Sequence, residues 1–301
     1  AAEAKLTQLL ISIAYDLEQQ LDELSRQGDQ AKITRLEQAF DHFLDRLANR
    51  SATADYKTLV WVASTYETLA GKIGQPKDAP PGKPTPEAAD AYRKAAKIYQ
   101  VMLDRSKSDP NFIPANRLLA VKQSLAIADR NAGDYAQSID AFAGMLKDKP
   151  NLLQTQVEAA RTYQQRGANE KADWYASAID GGTGPADSIW GWGKMAAKIA
   201  NNSKYRDLFH EARYNIALCH QKFGESQSDP EKQKKQFEMA KDAIRTTKQF
   251  ESTFDDGRWR PQNEKLLREL QKQLDQPVVG LLEFEPKAGA TQDGSKNSAS
   301  K

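Results

Sequence analysis

The chain has 301 residues, and its 43 Lys and Arg residues almost balance its 41 Asp and Glu residues. Because phosphate binding requires a net basic face, this balance argues against nucleic acid as a partner. No segment approaches the ~18 consecutive apolar residues of a membrane-spanning helix, so no transmembrane segment is expected. The single cysteine, Cys219, excludes an intramolecular disulfide. It fits a cytoplasmic protein, or an exported one whose signal peptide has been removed, and both stay open.

Apolar residues recur at helical spacing along most of the chain and predict about twelve amphipathic helices. The first two, over residues 3–27 and 33–49, form a hairpin. Proline and glycine over 71–86 are incompatible with a helix and predict an exposed loop before the fourth helix. The other helices are predicted over residues 54–73, 87–108, 114–131, 135–148, 152–166, 169–180, 188–201, 204–223, 231–250 and 261–274. Only the short run 278–284 hints at the alternation of a strand, so the fold class is all-α.

Two stretches of the chain follow one template 34 residues apart, around Gly133 and around Gly167. A self-similarity of this period signals stacked helical hairpins, because such a unit cannot bury its apolar face alone. The first stretch carries Ala126, Gly133, Asp134, Tyr135, Ser138, Phe142 and Pro150, and the second carries Ala160, Tyr163, Gly167 and Ala172. Small residues such as Ala126 and Ala160 are expected to let two helices approach closely, with Phe142 and Tyr163 filling the space beside them.

These residues resemble the tetratricopeptide repeat family. The resemblance is closest over 119–152 and 153–186, and weaker over 53–108 and 204–250. Asp129 and Met145 depart from the family pattern in the first repeat, and Ala176 departs in the second. The resemblance implies an all-α, right-handed superhelical solenoid of antiparallel helix pairs. We therefore expect one solenoid over residues 1–275 and a tail over 276–301 that is largely disordered after residue 286.

In this family the first helix of each pair lines a concave face that binds peptide segments. Carried over position by position, the resemblance implies a lining of amides and a few cations, suited to an extended peptide or an acidic segment. The alternative is an ordinary solvated helix face. The family's Lys and Asn clamp for a terminal carboxylate is missing from the two closest repeats. The expected partner-binding residues are Gln123, Arg130, Asn131, Gln154, Arg161, Gln164, Gln165, Tyr214 and Lys222.

Other candidate sites are weak. Trp190 and Trp192, separated by Gly191, suit an exposed aromatic anchor or, as we favour, a helix packed in the core. The three histidines, His42, His210 and His220, lack the spacing of a zinc site. Neither the glycines of 181–184 nor the turn 255–257 has the further residues of a phosphate or calcium loop. No catalytic residues, metal site or cofactor are predicted.

The sequence thus predicts a non-catalytic protein–protein interaction scaffold with a peptide or protein partner. The alternative is an accessory subunit, or the C-terminal part of a larger protein, whose catalysis lies elsewhere. The apolar run 277–284 either folds back along the last hairpin, as we favour, or adds to a partner.

Overall fold

A computed structural model describes residues 41–46, 54–73 and 83–285, with isolated helical positions between 12 and 39. All regular secondary structure in these ranges is helical, which confirms the all-α prediction. Most of the predicted first hairpin, the centre of the 71–86 loop and the tail after 286 lie outside the described residues. The chain divides into two compact units, Ala1–Gly191 and Trp192–Lys301. A single solenoid over 1–275 therefore stays a prediction.

The first unit is a succession of helices in which each packs on the next along the chain. The helices whose bounds the structure describes in this unit are α1 (Tyr56–Ile73), α2 (Pro86–Ser108), α3 (Leu118–Ala132), α4 (Tyr135–Asp148), α5 (Leu153–Asn169) and α6 (Trp174–Asp180). In addition to the contacts between neighbours, α3 contacts α5, which sets two of the predicted lining helices side by side.

Two helix boundaries differ from the prediction. Pro114 was expected in the first turn of a helix, but its carbonyl accepts a 2.7 Å bond from the Arg117 amide in a separate turn, and α3 begins only at Leu118. The helix predicted over 152–166 continues to Asn169, so that α6 starts at Trp174 instead of 169. The glycine at 167 does not end its helix, because it lacks the left-handed backbone that ends α3.

The paired glycines of the sequence template have different roles. Gly133 ends α3 with φ +89°, and the Asp134 amide bonds back to the Asp129 carbonyl, which is the hydrogen bond of a Schellman cap. Gly167 lies inside α5, and a Cβ there would meet the Tyr175 ring of α6 at 2.9 Å. The glycine is therefore needed at 133 for backbone conformation and at 167 for close helix packing.

The small and aromatic residues of the template are buried as expected. Ala126 and Ala160 are fully buried, as is Phe142, and Tyr163 is buried beside them. Fully burying a side chain such as Phe contributes about 1.5–3 kcal/mol. A second apolar core joins α1, α2 and the start of α3 through Leu59, Val62, Tyr66, Ala95, Met102 and Val121. Both cores lie between successive helices, as a stacked arrangement requires.

The link after α6 was expected to lead into a helix capped at Asp187 or Ser188, and this is wrong. Residues Gly184–Ala186 form a 3-10 turn, and the next helix begins only at Gly191, after Trp190. The buried Gln156 side chain holds the link: its amide donates to the Pro150 and Ser188 carbonyls at 2.9 and 2.8 Å and accepts from the Trp190 amide at 2.8 Å. Trp190 and Trp192 are both buried, which confirms core packing, although only Trp192 is helical.

The second unit contains three long helices, α8 (Arg206–Glu225), α9 (Pro230–Phe250) and α10 (Arg260–Gln273), after a short helix α7 (Gly191–Ile199). Helix α9 packs on both α8 and α10. Gly224 in α8 would meet the Phe237 ring of α9 at 2.7 Å if it carried a Cβ. Gly167 packs against an aromatic ring of the following helix in the same way, so the two glycines have the same packing role.

Two features of the second unit interrupt the helices. Residues Phe254, Asp255, Asp256 and Gly257 all have positive φ and form the left-handed turn between α9 and α10. The apolar run was a possible strand, but it forms a 3-10 turn, Gly280–Phe284, that packs on α10. Folding back along the last hairpin is therefore confirmed.

Candidate functional site

The predicted lining residues of α3 and α5 meet at one polar cluster in the first unit. Gln123 of α3 donates a 2.6 Å hydrogen bond to the Thr155 hydroxyl of α5. Two turns further along α3, Arg130 donates to the Glu158 carboxylate of α5 at 2.6 Å. These two bonds join the facing sides of the two helices, two turns apart on α3 and about one turn apart on α5. The structure thus brings Gln123, Arg130 and their partners together on adjoining helix faces.

Glu158 is the centre of this cluster, and the sequence analysis did not single it out. Its Oε2 accepts from Arg130, while its Oε1 accepts from Arg161 at 2.9 Å and from Gln154 at 3.0 Å. The side chains of Arg130 and Glu158 are each 9% exposed, whereas that of Arg161 is 40% exposed. Arg130 therefore serves as an internal bond between helices, and Arg161 presents the cation at the surface. A Glu one turn from two predicted lining residues of the same helix, Gln154 and Arg161, was the available signal.

The remaining predicted residues are distributed over both units. Asn131 accepts from the Arg130 guanidinium at 3.2 Å, and Gln164 and Gln165 lie half-buried on α5 beyond Arg161. Tyr214 and Lys222 belong to α8 of the second unit, where the Tyr214 ring packs on the Trp259 ring at 5.9 Å and Lys222 pairs with Glu225 at 2.7 Å. The structure does not test whether any of the nine contacts a ligand.

A buried carboxylate lies behind this cluster, at the end of α3. Asp129 is 4% exposed, and its Oδ2 has no hydrogen-bond partner among the described residues. Burial and the neighbouring Asp134 carboxylate raise the pKa of Asp129 to about 6. Asp134 itself is paired with Arg93 of α2 at 2.9 Å. The end of α3 therefore holds a buried carboxyl group with one oxygen that no described residue satisfies.

The second unit holds an open cavity of about 310 Å³ at the start of α8 and the end of α9. Phe209 and the exposed Phe250 form its apolar wall, with ring centroids 6.2 Å apart. The left-handed turn described above follows directly on α9. The lining residues are Ala200, Asn201, Asn202, Ser203, Arg206, Phe209, Phe250 and Glu251.

Glu251 is held from two sides at this cavity. Arg206 pairs with its Oε1, and His210 lies 2.7 Å from its Oε2. Desolvation lowers the pKa of His210, which favours the neutral ring, and Nδ1 has no partner among the described residues. Nε2 therefore carries the proton and donates to Glu251, because an unpaired acceptor costs less than a buried unpaired N–H. The carboxylate is engaged on both oxygens, so it is unsuited to act as a base.

The described residues include one cysteine and several potential metal ligands, but none is arranged as a reactive thiol or a metal site. Cys219 is fully buried, and desolvation raises the pKa of its thiol, so the reactive thiolate is disfavoured. Across residues 54–73 and 83–285 no group of three His, Cys, Asp or Glu side chains is arranged to hold a metal ion. In that same part of the chain no helix is long and apolar enough to cross a membrane.

Comparison with known proteins adds little. No family model matches the chain, and no curated protein matches it. Among solved structures, the chain is similar to one from work on the computational design of self-assembling cyclic protein homooligomers. That similarity has 13% identity, 91% coverage of this chain, 100% coverage of that chain and a TM-score of 0.30, which is too low to support an argument about fold or function. The tetratricopeptide resemblance therefore stays a prediction.

Proposed function

We propose that this chain is a non-catalytic interaction scaffold of the tetratricopeptide type, a right-handed solenoid whose α3 and α5 present a peptide-binding face. The observation that carries the proposal is the contact between α3 and α5 through the Arg130–Glu158 ion pair and the Gln123–Thr155 hydrogen bond. Neighbouring first helices of successive repeats are what such a face requires. We call the solvent-accessible part of this surface the α5 face; it consists of the exposed Gln154 and the half-buried Arg161, Gln164 and Gln165.

The chemistry of the α5 face indicates the kind of segment it binds. Three amides offer both donors and acceptors, which suits the backbone of an extended peptide. Arg161 pairs with Glu158 and its side chain is 40% exposed, so the carboxylate of a bound peptide can reach the guanidinium from solvent. Glu158 is shared between Arg161 and Arg130, so these three side chains together carry one net positive charge. We therefore propose an extended segment with at least one Asp or Glu side chain.

The buried residues Arg130 and Glu158 hold the side chains of Gln154 and Arg161 in place. Glu158 fixes the Arg161 guanidinium and the Gln154 amide through its Oε1, and Arg130 fixes Glu158 through its Oε2. A side chain that is already held in its binding geometry loses less conformational entropy when a ligand arrives. The cluster is therefore suited to binding, and it has no nucleophile or base placed for a reaction.

The test is selection of peptides from a random displayed library on the immobilised full chain, followed by affinity measurement with Arg161→Glu. We expect acidic peptides to be enriched and their affinity to fall at least about ten-fold, which corresponds to about 1.4 kcal/mol. Lys147→Glu is the matched control, because Lys147 is an exposed cation of α4, the second helix of its pair. Absence of enrichment, or equal losses for both variants, would contradict the proposal.

A further inference from the structure

The segment Pro277–Glu285 occupies a groove between α9 and α10 and is held there mainly by polar contacts. Two lysines of α9 reach it from one side: Lys241 pairs with Glu283 at 2.5 Å, and Lys248 pairs with Glu285 and donates to the Leu281 carbonyl at 3.3 Å. The two lysines are seven residues apart, hence on one face of the helix. Both are at least nine-tenths buried.

Helix α10 fixes the backbone of the same segment. The fully buried Gln271 side chain accepts from the Gly280 amide at 2.8 Å and donates to the Gly280 carbonyl and to Glu283. Glu264 accepts from the Leu281 amide at 2.8 Å. Gln271 and Glu264 bind backbone N–H and C=O groups of the segment. These contacts therefore do not depend on most of the side chains of the peptide that occupies the groove.

Only one apolar side chain of the segment is fully inserted. Leu281 is 1% exposed, whereas Leu282 is 68% exposed and Val278 and Val279 are each 39% exposed. A covering segment at the end of a helical array ordinarily turns a polar side to solvent. Here one apolar anchor, two ion pairs and the hydrogen bonds to α10 hold the segment down, while its outer side offers an apolar surface.

The charges of the groove specify what can replace the segment. A buried ammonium group without an anionic partner costs several kcal/mol of free energy. Lys241 and Lys248 therefore require two carboxylates spaced as Glu283 and Glu285 are, and a neutral apolar chain would leave them unpaired. The pattern that meets both requirements is an apolar residue followed by acidic residues two and four positions later.

We propose that the groove formed by Lys241, Lys248, Glu264 and Gln271, here the α9–α10 groove, is a second peptide site for a partner segment of that pattern. The chain's own residues 277–285 occupy it when the partner is absent. This site is distinct from the α5 face and does not depend on it. A partner must compete with a tethered segment whose effective concentration is about millimolar for a short linker. The groove is consequently closed to weak ligands in the native chain.

The test removes the chain's own segment without touching the groove lysines. Gly280 has φ +61°, and a Cβ there would overlap the Glu264 carboxylate, so Gly280→Val disfavours the seated conformation in the full chain. Glu283→Lys with Glu285→Lys is an independent route, because it reverses both charges. The probe is a fluorescein-labelled synthetic peptide of residues 276–285, and binding is followed by fluorescence anisotropy.

We expect both displaced variants to bind the probe at least ten-fold more tightly than the unmodified chain. Binding should weaken with salt, because the ion pairs are partly exposed to solvent. A probe with Lys at its two acidic positions should fail on Gly280→Val and bind again when Lys241→Glu and Lys248→Glu are added. Leu282→Ser is the control, since its exposed side chain does not hold the segment in place, and it should leave probe binding as weak as in the unmodified chain.

Three results would overturn the proposal. The first is a displaced variant that stays folded by circular dichroism and does not bind the probe. The second is binding that ignores the charge reversal of the probe. The third is a concentration-dependent dimer of the unmodified chain that exchanges its C-terminal segments, which would assign the groove to a second copy instead of a partner protein.

Discussion

The two units satisfy buried charge in different ways. In the first unit the buried ion pair Arg130–Glu158 joins two helices, α3 and α5, that are fixed by their other contacts. In the second unit the buried ammonium groups of Lys241 and Lys248 are paired by a non-helical segment that is attached only at one end within the described chain. A charge buried between helices can be freed only by unfolding, whereas one buried by a segment can be freed by local opening.

The largest expected effect is therefore at Glu158. Glu158→Ala leaves the Arg130 guanidinium buried without its anionic partner and should lower the free energy of unfolding by about 3–5 kcal/mol. Chemical denaturation followed by circular dichroism measures the loss. Glu170→Ala is the control. It breaks a partly exposed pair with Arg166 at the C-terminal end of α5 and should cost at most about 1 kcal/mol. Equal losses would mean that α3 and α5 do not meet at this pair.

The corresponding change in the second unit should cost less. Glu283→Gln with Glu285→Gln removes both carboxylates from the buried lysines, but the segment can lift and let water reach the ammonium groups. We expect a loss of roughly 1–2 kcal/mol in global stability. Hydrogen exchange of residues 277–285 should rise much more than that of α9. A global loss as large as that of Glu158→Ala would show that the segment is an integral part of the fold.

Two carboxyl groups predict opposite responses to pH. The pKa of Asp129 is raised, so its folded form binds a proton more tightly, and its contribution to stability falls as pH rises from about 4 to about 6. Asp129→Asn should remove this slope and raise stability at pH 7 by up to about 3 kcal/mol, at about 1.4 kcal/mol for each pKa unit. Unfolding curves between pH 4 and 7 measure it, and an unchanged slope would contradict it.

Glu283 behaves in the opposite sense. Burial alone raises its pKa, but hydrogen bonds and the charge of Lys241 outweigh burial and hold the pKa below its ordinary value of 4.5. Its contribution is therefore present above that value and is lost as pH falls through the lowered pKa. Amide exchange of the segment should accelerate on acidification below about pH 4.5 while that of α9 does not. After correction for the intrinsic pH dependence of amide exchange, a segment exchange rate that stays constant between pH 7 and pH 4 would contradict the pairing.

Substitutions to alanine separate the roles of the two glycines of the sequence template. Gly167→Ala forces a methyl group against the Tyr175 ring and should cost about 1–3 kcal/mol. Gly133→Ala meets open space and should cost about 1–2 kcal/mol from its left-handed backbone alone. The Tyr175→Leu background distinguishes them, because it should reduce only the Gly167→Ala penalty. A penalty at Gly133 that changes with residue 175 would contradict the assignment.

Much of the fold could be predicted from the sequence because helical periodicity is a local signal. The helix over 135–148 was placed correctly, and the long helix predicted over 231–250 begins one residue earlier, at Pro230. The predicted helix boundaries were wrong where contacts with other elements determine where a helix ends. Gly167 lies inside its helix against the Tyr175 ring, and the link before Trp190 forms a 3-10 turn that the Gln156 side chain holds in place.

The candidate sites were harder to predict, since they depend on pairs of residues from different elements. Arg130 and Arg161 were expected to line one face, but their common partner Glu158 looked like any other solvated acid. The lysines of α9 gave no signal either, because their burial requires a segment that lies more than thirty residues further along the chain. Charge that is buried by a distant segment cannot be recognised from periodicity.

Binding of an acidic peptide along the α5 face can be measured by photo-crosslinking. A library-selected peptide is crosslinked to full chains that carry a benzophenone side chain at Gln164 or, as the control, at Lys147 of α4. We expect crosslinks from position 164 that an excess of unlabelled peptide suppresses, and none from 147. Crosslinks of equal yield from both positions, or from 147 alone, would contradict it.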